Sequence, residues 1–310
     1  MSRRTASAVV CTYSDSRWPW LCDALRSLRE QTHPPDEVLV VVDHNDALLR
    51  RARDEFPQCT VIANDEAAGL AGARNTGIRH SSCDVVVFMD DDAVAEPDCL
   101  RRLLEPYRDP RVAGSGGAAV PEWPGARPRW FPSEFDWVVG CSYTGLPQRT
   151  ARIRNPIGAC MSFRRAVFQC TGGFTSGFGR TGADAMGCEE TELAIRVQRA
   201  FPGSMVVYVP DARVVHRVDE PRARWRYFIA RCYAEGRSKA RVTRAVGRRD
   251  ALSSERDYAK RVLPAAALRG VGQGLAGEAA GLLRAAAIGA GLAAAGAGYL
   301  RARIAIGALR

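Results

Sequence analysis

Short, continuous apolar runs at residues 7–12, 38–42, 60–63 and 85–89 are rich in β-branched side chains. Such runs predict strands, with those at 38–42 and 85–89 buried within a parallel sheet. Between them the apolar positions change period. Leu21, Ala24, Leu25 and Leu28 fall at helical spacing, and His33-Pro34-Pro35 stops that helix. Further helices are expected over residues 46–56 and after the loop Gly69-Leu70-Ala71-Gly72, which leads into Arg74 and Asn75. Strand and helix alternating in this way predict right-handed βαβ units and a Rossmann-like sheet.

Downstream the pattern predicts a helix at 97–107, a Gly-interrupted strand at 112–119 and a strand at 158–163 leading into a short helix. Residues 120–157 are Pro-rich, carry Trp123, Trp130 and Trp137, and suit an irregular segment over a pocket mouth. Six glycines within residues 172–187 predict a flexible loop, a candidate lid. A helix over 189–200 follows, then separate strands at 205–209 and 214–215, the latter ending in His216. Past Glu220 the chain becomes basic and helical, with Trp225, Tyr227, Phe228 and Tyr233 interleaved, and from Leu263 it becomes rich in Ala and Gly. The uncharged stretch 285–299, taken as a helix of about 22 Å, falls short of a bilayer core of about 30 Å. A peripheral or half-inserted helical hairpin is therefore expected there. These changes suggest segments 1–220, 221–262 and 263–310.

The formal net charge of +10 is concentrated: residues 221–260 hold 12 Lys/Arg against 4 Asp/Glu. A solvated basic face, a membrane surface or a phosphorylated partner would each suit it. The 10 cysteines show no Cys-x-x-Cys pair, which argues against a zinc site and for reduced thiols in a cytoplasmic compartment. The basic N-terminus leads into an apolar run too short for a signal peptide.

The candidate chemistry lies at strand ends. The 85–89 run ends in Asp90-Asp91-Asp92, and the 38–42 run ends in Asp43. Parallel strands deliver such residues to the carboxyl edge of the sheet, where α/β folds bind ligands. Adjacent carboxylates repel one another, and a hard divalent cation, Mg²⁺ or Mn²⁺, relieves that repulsion and suits nucleotide phosphates. An acidic turn capping the next helix is the simpler alternative. Neither Gly-x-Gly-x-x-Gly after the first strand nor Gly-x-x-x-x-Gly-Lys-Ser/Thr occurs, which disfavours dinucleotide dehydrogenases and P-loop NTPases.

Five motifs in order carry a family resemblance: Val10-Cys11-Thr12-Tyr13, Val40-Val41-Val42-Asp43, residues 69–77 (Gly-Leu-Ala-Gly-Ala-Arg-Asn-Thr-Gly), Phe88-Met89-Asp90-Asp91-Asp92 and residues 187–193 (Gly-Cys-Glu-Glu-Thr-Glu-Leu). The chain resembles family-2 inverting glycosyltransferases of the GT-A type. The stretch through Arg129-Trp130-Phe131-Pro132 to Asp136-Trp137 looks like a glucosyl-lipid glucuronosyltransferase subgroup. The resemblance implies an α/β, Rossmann-like, mostly parallel sheet flanked by helices, with a basic helical C-terminal extension. It also implies a UDP-sugar donor and a lipid-linked or small-molecule sugar acceptor, with no nucleic acid. An enzyme at the inner face of the cell membrane, in peripheral contact with it, fits that reading.

Carried over by position, Thr12, Tyr13, Asp43, Arg74, Asp90 and Asp91 would bind the nucleotide sugar. Asp92, Asp90 and His216 would hold the divalent metal, and Glu190, with Glu189 second, would be the catalytic base. The family places Glu-Asp at that last position, so Glu190 is one methylene longer than the pattern. A nucleotidyltransferase or a nucleic-acid-binding protein would be the rival readings.

Overall fold

The computed structural model describes residues 4–179 and 186–307. The chain forms two compact units. The first comprises Met1–Val120, Pro147–Asp184 and Glu189–His216, and the second Pro121–Leu146, Ala185–Cys188 and Arg217–Arg310.

The first unit is built on strands β1 (Ala6–Thr12), β2 (Glu37–Val42), β3 (Thr60–Ala63), β4 (Val85–Asp90), β5 (Ala93–Ala95), β6 (Val112–Glu122), β7 (Ala151–Ile153), β8 (Cys160–Arg164) and β9 (Met205–Arg217). Among the described residues the sheet order is β3-β2-β1-β4-β8-β6-β9-β5, with β7 beside β9. β3, β2, β1 and β4 run parallel. β8 turns the sheet antiparallel, pairing with both β4 and β6.

Alternate residues of each central strand enter different cores, as a period of two demands. Val10, Val40, Val87 and Met89 pack under α1 (Trp18–Arg29), α2 (Asp46–Glu55) and α4 (Cys99–Leu104). Val9, Val41, Val86 and Phe88 pack under α3 (Leu70–His80), α5 (Arg165–Thr171) and α6 (Glu189–Ala200). Helices on both faces of a Rossmann-like sheet make this the expected α/β fold. α3 lies close to β1 because Gly77 has no side chain: a Cβ there would sit 2.4 Å from Val9.

The second unit gathers α7 (Trp225–Val246), the short α8 (Arg248–Ala251) and α9 (Ser253–Asp257), then α10 (Leu263–Leu275) and α11 (Ala279–Gly307). Its core is aromatic, with the Phe228 ring centroid within 5.3 Å of those of both Phe131 and Phe135. α11 lies against α7 through glycine: a Cβ on Gly236 would meet the Ala295 carbonyl at 1.9 Å, and one on Gly298 the Tyr233 carbonyl at 2.1 Å.

Several boundaries differ from the pattern. The two strands expected at 205–209 and 214–215 are one strand, β9, whose ends pair with different partners, β7 and β5. Pro210 and Asp211 lie between those two ladders. The uncharged stretch 285–299 is the middle of a helix 29 residues long, about 43 Å. That helix runs through Arg284, Arg301 and Arg303, and arginine favours helix nearly as well as alanine. By length and composition alone α11 could cross a membrane. The candidate lid at 172–187 includes residues 180–185, which lie outside the described residues.

Candidate active site

Parallel register brings the acidic strand ends to one edge. Cys11 of β1 stands beside Asp90 of β4, Thr12 beside Val42, and the Asp43 amide donates to the Thr12 carbonyl at 2.8 Å. The chain leaves β4 through the Asp triplet directly into β5, whose Ala93 pairs with His216 of β9. That antiparallel pairing carries a histidine distant in sequence to the triplet.

The three carboxylates do different things. Asp90, Asp92 and His216 place one donor atom each within 4.8 Å of one another. His216 Nε2 lies 3.2 Å from Asp92 Oδ1 and 3.9 Å from Asp90 Oδ2. Asp91 turns away: it accepts from the Thr12 hydroxyl at 2.7 Å and from Arg17 at 2.5 Å. Burial pushes its carboxyl up to about 6, against the opposing pull of the Arg17 charge.

Arg74 is a fully enclosed guanidinium, 2% exposed. It donates to Glu189 Oε1 at 2.9 Å, to Asp90 Oδ1 at 3.2 Å and to the Gly158 carbonyl at 3.2 Å. Gly158 leaves room for it, since a Cβ there would stand 3.0 Å from the Arg74 Nη2. The charged groups in contact are Asp90, Asp91, Asp92 and Glu189 against Arg17 and Arg74. Four carboxylates against two guanidiniums leave two negative charges, which one divalent cation cancels. Two carboxylate oxygens and an imidazole nitrogen are a donor set that such a cation accepts.

Asp43 forms a second focus. Its carboxylate accepts from the Asn64 amide at 2.6 Å and from the Gly69 N–H at 2.9 Å. Gly69 starts α3 at φ 125°, a conformation a side chain would resist. Tyr13 is exposed, with the Arg17 guanidinium 5.4 Å from its ring. Glu190 opens α6 beside the buried Glu189 and is itself half-buried.

The sequence profile of "Glycosyl transferase family 2" matches residues 7–172. That is more than half of the chain, and it takes in Thr12, Asp43, Arg74 and the Asp triplet. The chain belongs to glycosyltransferase family 2. It is 35% identical over 237 residues to a glucosyl-dolichyl phosphate glucuronosyltransferase of Haloferax volcanii, covering 75% of each chain. It is 28% identical to the succinoglycan biosynthesis protein ExoM of Rhizobium meliloti, covering 75% of this chain and 73% of the relative. Among solved structures, the mannosyltransferase PcManGT of Pyrobaculum calidifontis, in complex with GDP-Man and Mn²⁺, superposes with a TM-score of 0.62 at 22% identity, over 96% of this chain and 88% of that one. GalNAc-T7 with UDP, GalNAc and Mn²⁺ gives 0.54 at 16% identity, over 82% and 54%. These likenesses establish the fold, and family membership makes the chain a transferase of sugars.

Two residues that the family pattern does not flag are part of this site. Arg17, in the turn after β1, bridges Asp91 and Asp92. Asn64, directly after β3, holds Asp43 and accepts from the Thr76 hydroxyl at 3.0 Å. Neither has a spacing signature. The one hint in the sequence is that each sits just beyond an apolar run aimed at the same sheet edge.

Proposed function

We propose that the chain transfers a sugar from a UDP-sugar to an acceptor hydroxyl with inversion at the anomeric carbon. One observation carries this reading: Asp90, Asp92 and His216 converge at the strand edge, while Arg74 ties Asp90 to the first carboxylate of α6. Glu189 is thereby committed to Arg74, and its neighbour Glu190 is the carboxylate assigned to the acceptor. Asp43, held by Asn64 and Gly69, receives the base N–H, with Thr12 and Tyr13 beside the ring; Asp91, whose two oxygens are taken by Thr12 and Arg17, braces that turn rather than reaching the ribose. Arg74 serves the nucleotide sugar indirectly, by fixing Asp90.

Asp90, Asp92 and His216 would hold Mn²⁺ or Mg²⁺, which supplies charge neutralisation for the departing diphosphate. Both solved structures named above contain Mn²⁺ with a nucleotide or nucleotide sugar, which supports that assignment. Glu190 takes the acceptor proton as the hydroxyl oxygen bonds to the anomeric carbon. The bond from that carbon to the diphosphate breaks, and its electron pair leaves with UDP.

The favoured acceptor is a lipid-phosphate-linked sugar at the inner face of the cell membrane. The Haloferax relative's name supports it, as do the exposed apolar side chains Leu268, Leu275, Leu283, Leu300 and Ile304 along α10 and α11. Incubation with a panel of UDP-sugars and a polyprenyl-phosphate glucoside, with Mn²⁺ or with EDTA, tests the reading. Metal-dependent release of UDP matched by a glycosylated lipid is expected. Transfer that survives EDTA, or that uses only GDP-sugars, would refute it.

A further inference from the structure

Asp92 is shared. One carboxylate oxygen, Oδ1, faces His216 at 3.2 Å, and the other, Oδ2, lies 3.2 Å from the Arg17 guanidinium. The same Arg17 nitrogen stands 2.5 Å from Asp91, and both aspartate side chains are about 3% exposed. Arg17 is not held loosely: its guanidinium also lies 5.4 Å from the Tyr13 ring centre and 5.7 Å from that of Trp20. A fixed positive charge therefore competes, on a shared carboxylate, with whatever cation Asp90, Asp92 and His216 take.

From this we infer that Arg17 keeps the free enzyme's affinity for its divalent ion low and makes tight binding conditional on the nucleotide diphosphate. The inference rests on the metal reading above. With no nucleotide, Arg17 and the ion repel each other across Asp92, and their short separation in a largely buried site leaves that repulsion weakly screened. A diphosphate adds negative charge next to both cations. The guanidinium then has a partner suited to its planar fork, and the repulsion becomes a joint attraction. In thermodynamic terms Arg17 creates coupling between ion and nucleotide, and such coupling is reciprocal. UDP tightens the ion, and the ion tightens UDP by the same factor.

The consequence has an unusual sign. A residue that merely braces the site would, when lost, weaken both ligands. Loss of Arg17 should strengthen one and weaken the other. Binding of Mn²⁺ is measured by the EPR signal of the free ion, first alone and then with saturating UDP, and UDP binding by calorimetry at saturating Mn²⁺. Arg17→Gln should bind Mn²⁺ alone at least about tenfold more tightly than wild type, the lower end of what one nearby charge contributes between bulk water and a partly buried site. The same variant should bind UDP more weakly, so that the gain in Mn²⁺ affinity on adding UDP shrinks by about tenfold or more.

Arg17→Lys keeps the charge on a shorter stem and should shift both affinities in the same two directions by a smaller factor. If Arg17→Gln does not fold, the Lys variant alone decides. Weakening of both ligands together, or values equal to wild type in both measurements, would overturn the inference. Asp92→Asn separates this from the metal reading. If wild type and Asp92→Asn bind Mn²⁺ equally, the ion is not held by the cluster and both readings fail. If Asp92→Asn loses the ion while the Arg17 variants match wild type, only the role of Arg17 fails.

Discussion

Arg74→Met is the perturbation whose size can be worked most directly from the structure. The substitution removes a buried cation that donates to Glu189, Asp90 and the Gly158 carbonyl. Asp90, with its side chain 29% exposed, can recruit water in its place, whereas Glu189 at 7% cannot. The loss therefore falls mainly on Glu189, a carboxylate left buried without its counter-charge. Breaking a buried pair from one side costs about 3–5 kcal/mol, a large share of the roughly 5–15 kcal/mol that holds a typical domain. In thermal melts this corresponds to a fall in Tm on the order of 10 °C. The double variant Arg74→Met with Glu189→Gln removes the charge along with its partner and should regain at least half of that loss. Urea and thermal unfolding of the wild type, both single variants and the double form a complete cycle. If Arg74→Met unfolds within about 1 kcal/mol of wild type, or if the double variant is no more stable than Arg74→Met alone, Arg74 does not hold these carboxylates together.

Three further outcomes are expected. Glu190→Gln should lower kcat by about 10²–10⁴ with donor KM little changed, the size usual for loss of a general base; equal losses from Glu189→Gln and Glu190→Gln would remove the distinction between them. In the second unit, burial pushes the Glu235 carboxyl up, but Lys239, Arg231 and the Cys188 thiol outweigh it and bring it down to about 2, below its ordinary 4.5. A depressed carboxylate stabilises the fold above its unfolded pKa, so about 3 kcal/mol should be lost as pH falls from 4.5 toward 2. Acid unfolding followed by circular dichroism should show that limb flattened in Glu235→Gln, and an unchanged limb would contradict it. Leu282→Glu combined with Leu283→Glu places charge at exposed positions on α11 and should cut flotation with anionic vesicles at least several-fold, and undiminished flotation would argue against a lipid-facing α11.

Much of the architecture was legible because β1, β2 and β4 are long enough for their apolar character to stand out. So were their acidic ends, since a carboxylate beyond a buried strand has few structural reasons to be there. β5 and β7, at three residues each, carry no period at all and are defined by pairing with β9. The full length of α11 was obscured by Arg284 and Arg301, charges that end an apolar window without ending a helix. At the site, Asp43, Asp90 and Asp92 stand out by position on their strands. The company Arg74 keeps does not, because Glu189 and Gly158 lie 115 and 84 residues away in the chain. Arg17 was invisible for a related reason. A single arginine in a surface-facing turn has no pattern of its own, and its meaning appears only once β1 and β4 lie side by side.

Crystals grown or soaked with Mn²⁺ and UDP, measured for anomalous scattering, test the central claim most directly. A peak within bonding distance of Asp90, Asp92 and His216, touching the diphosphate, is the predicted result. A peak elsewhere, with UDP bound and those three side chains coordinating nothing, would contradict the account.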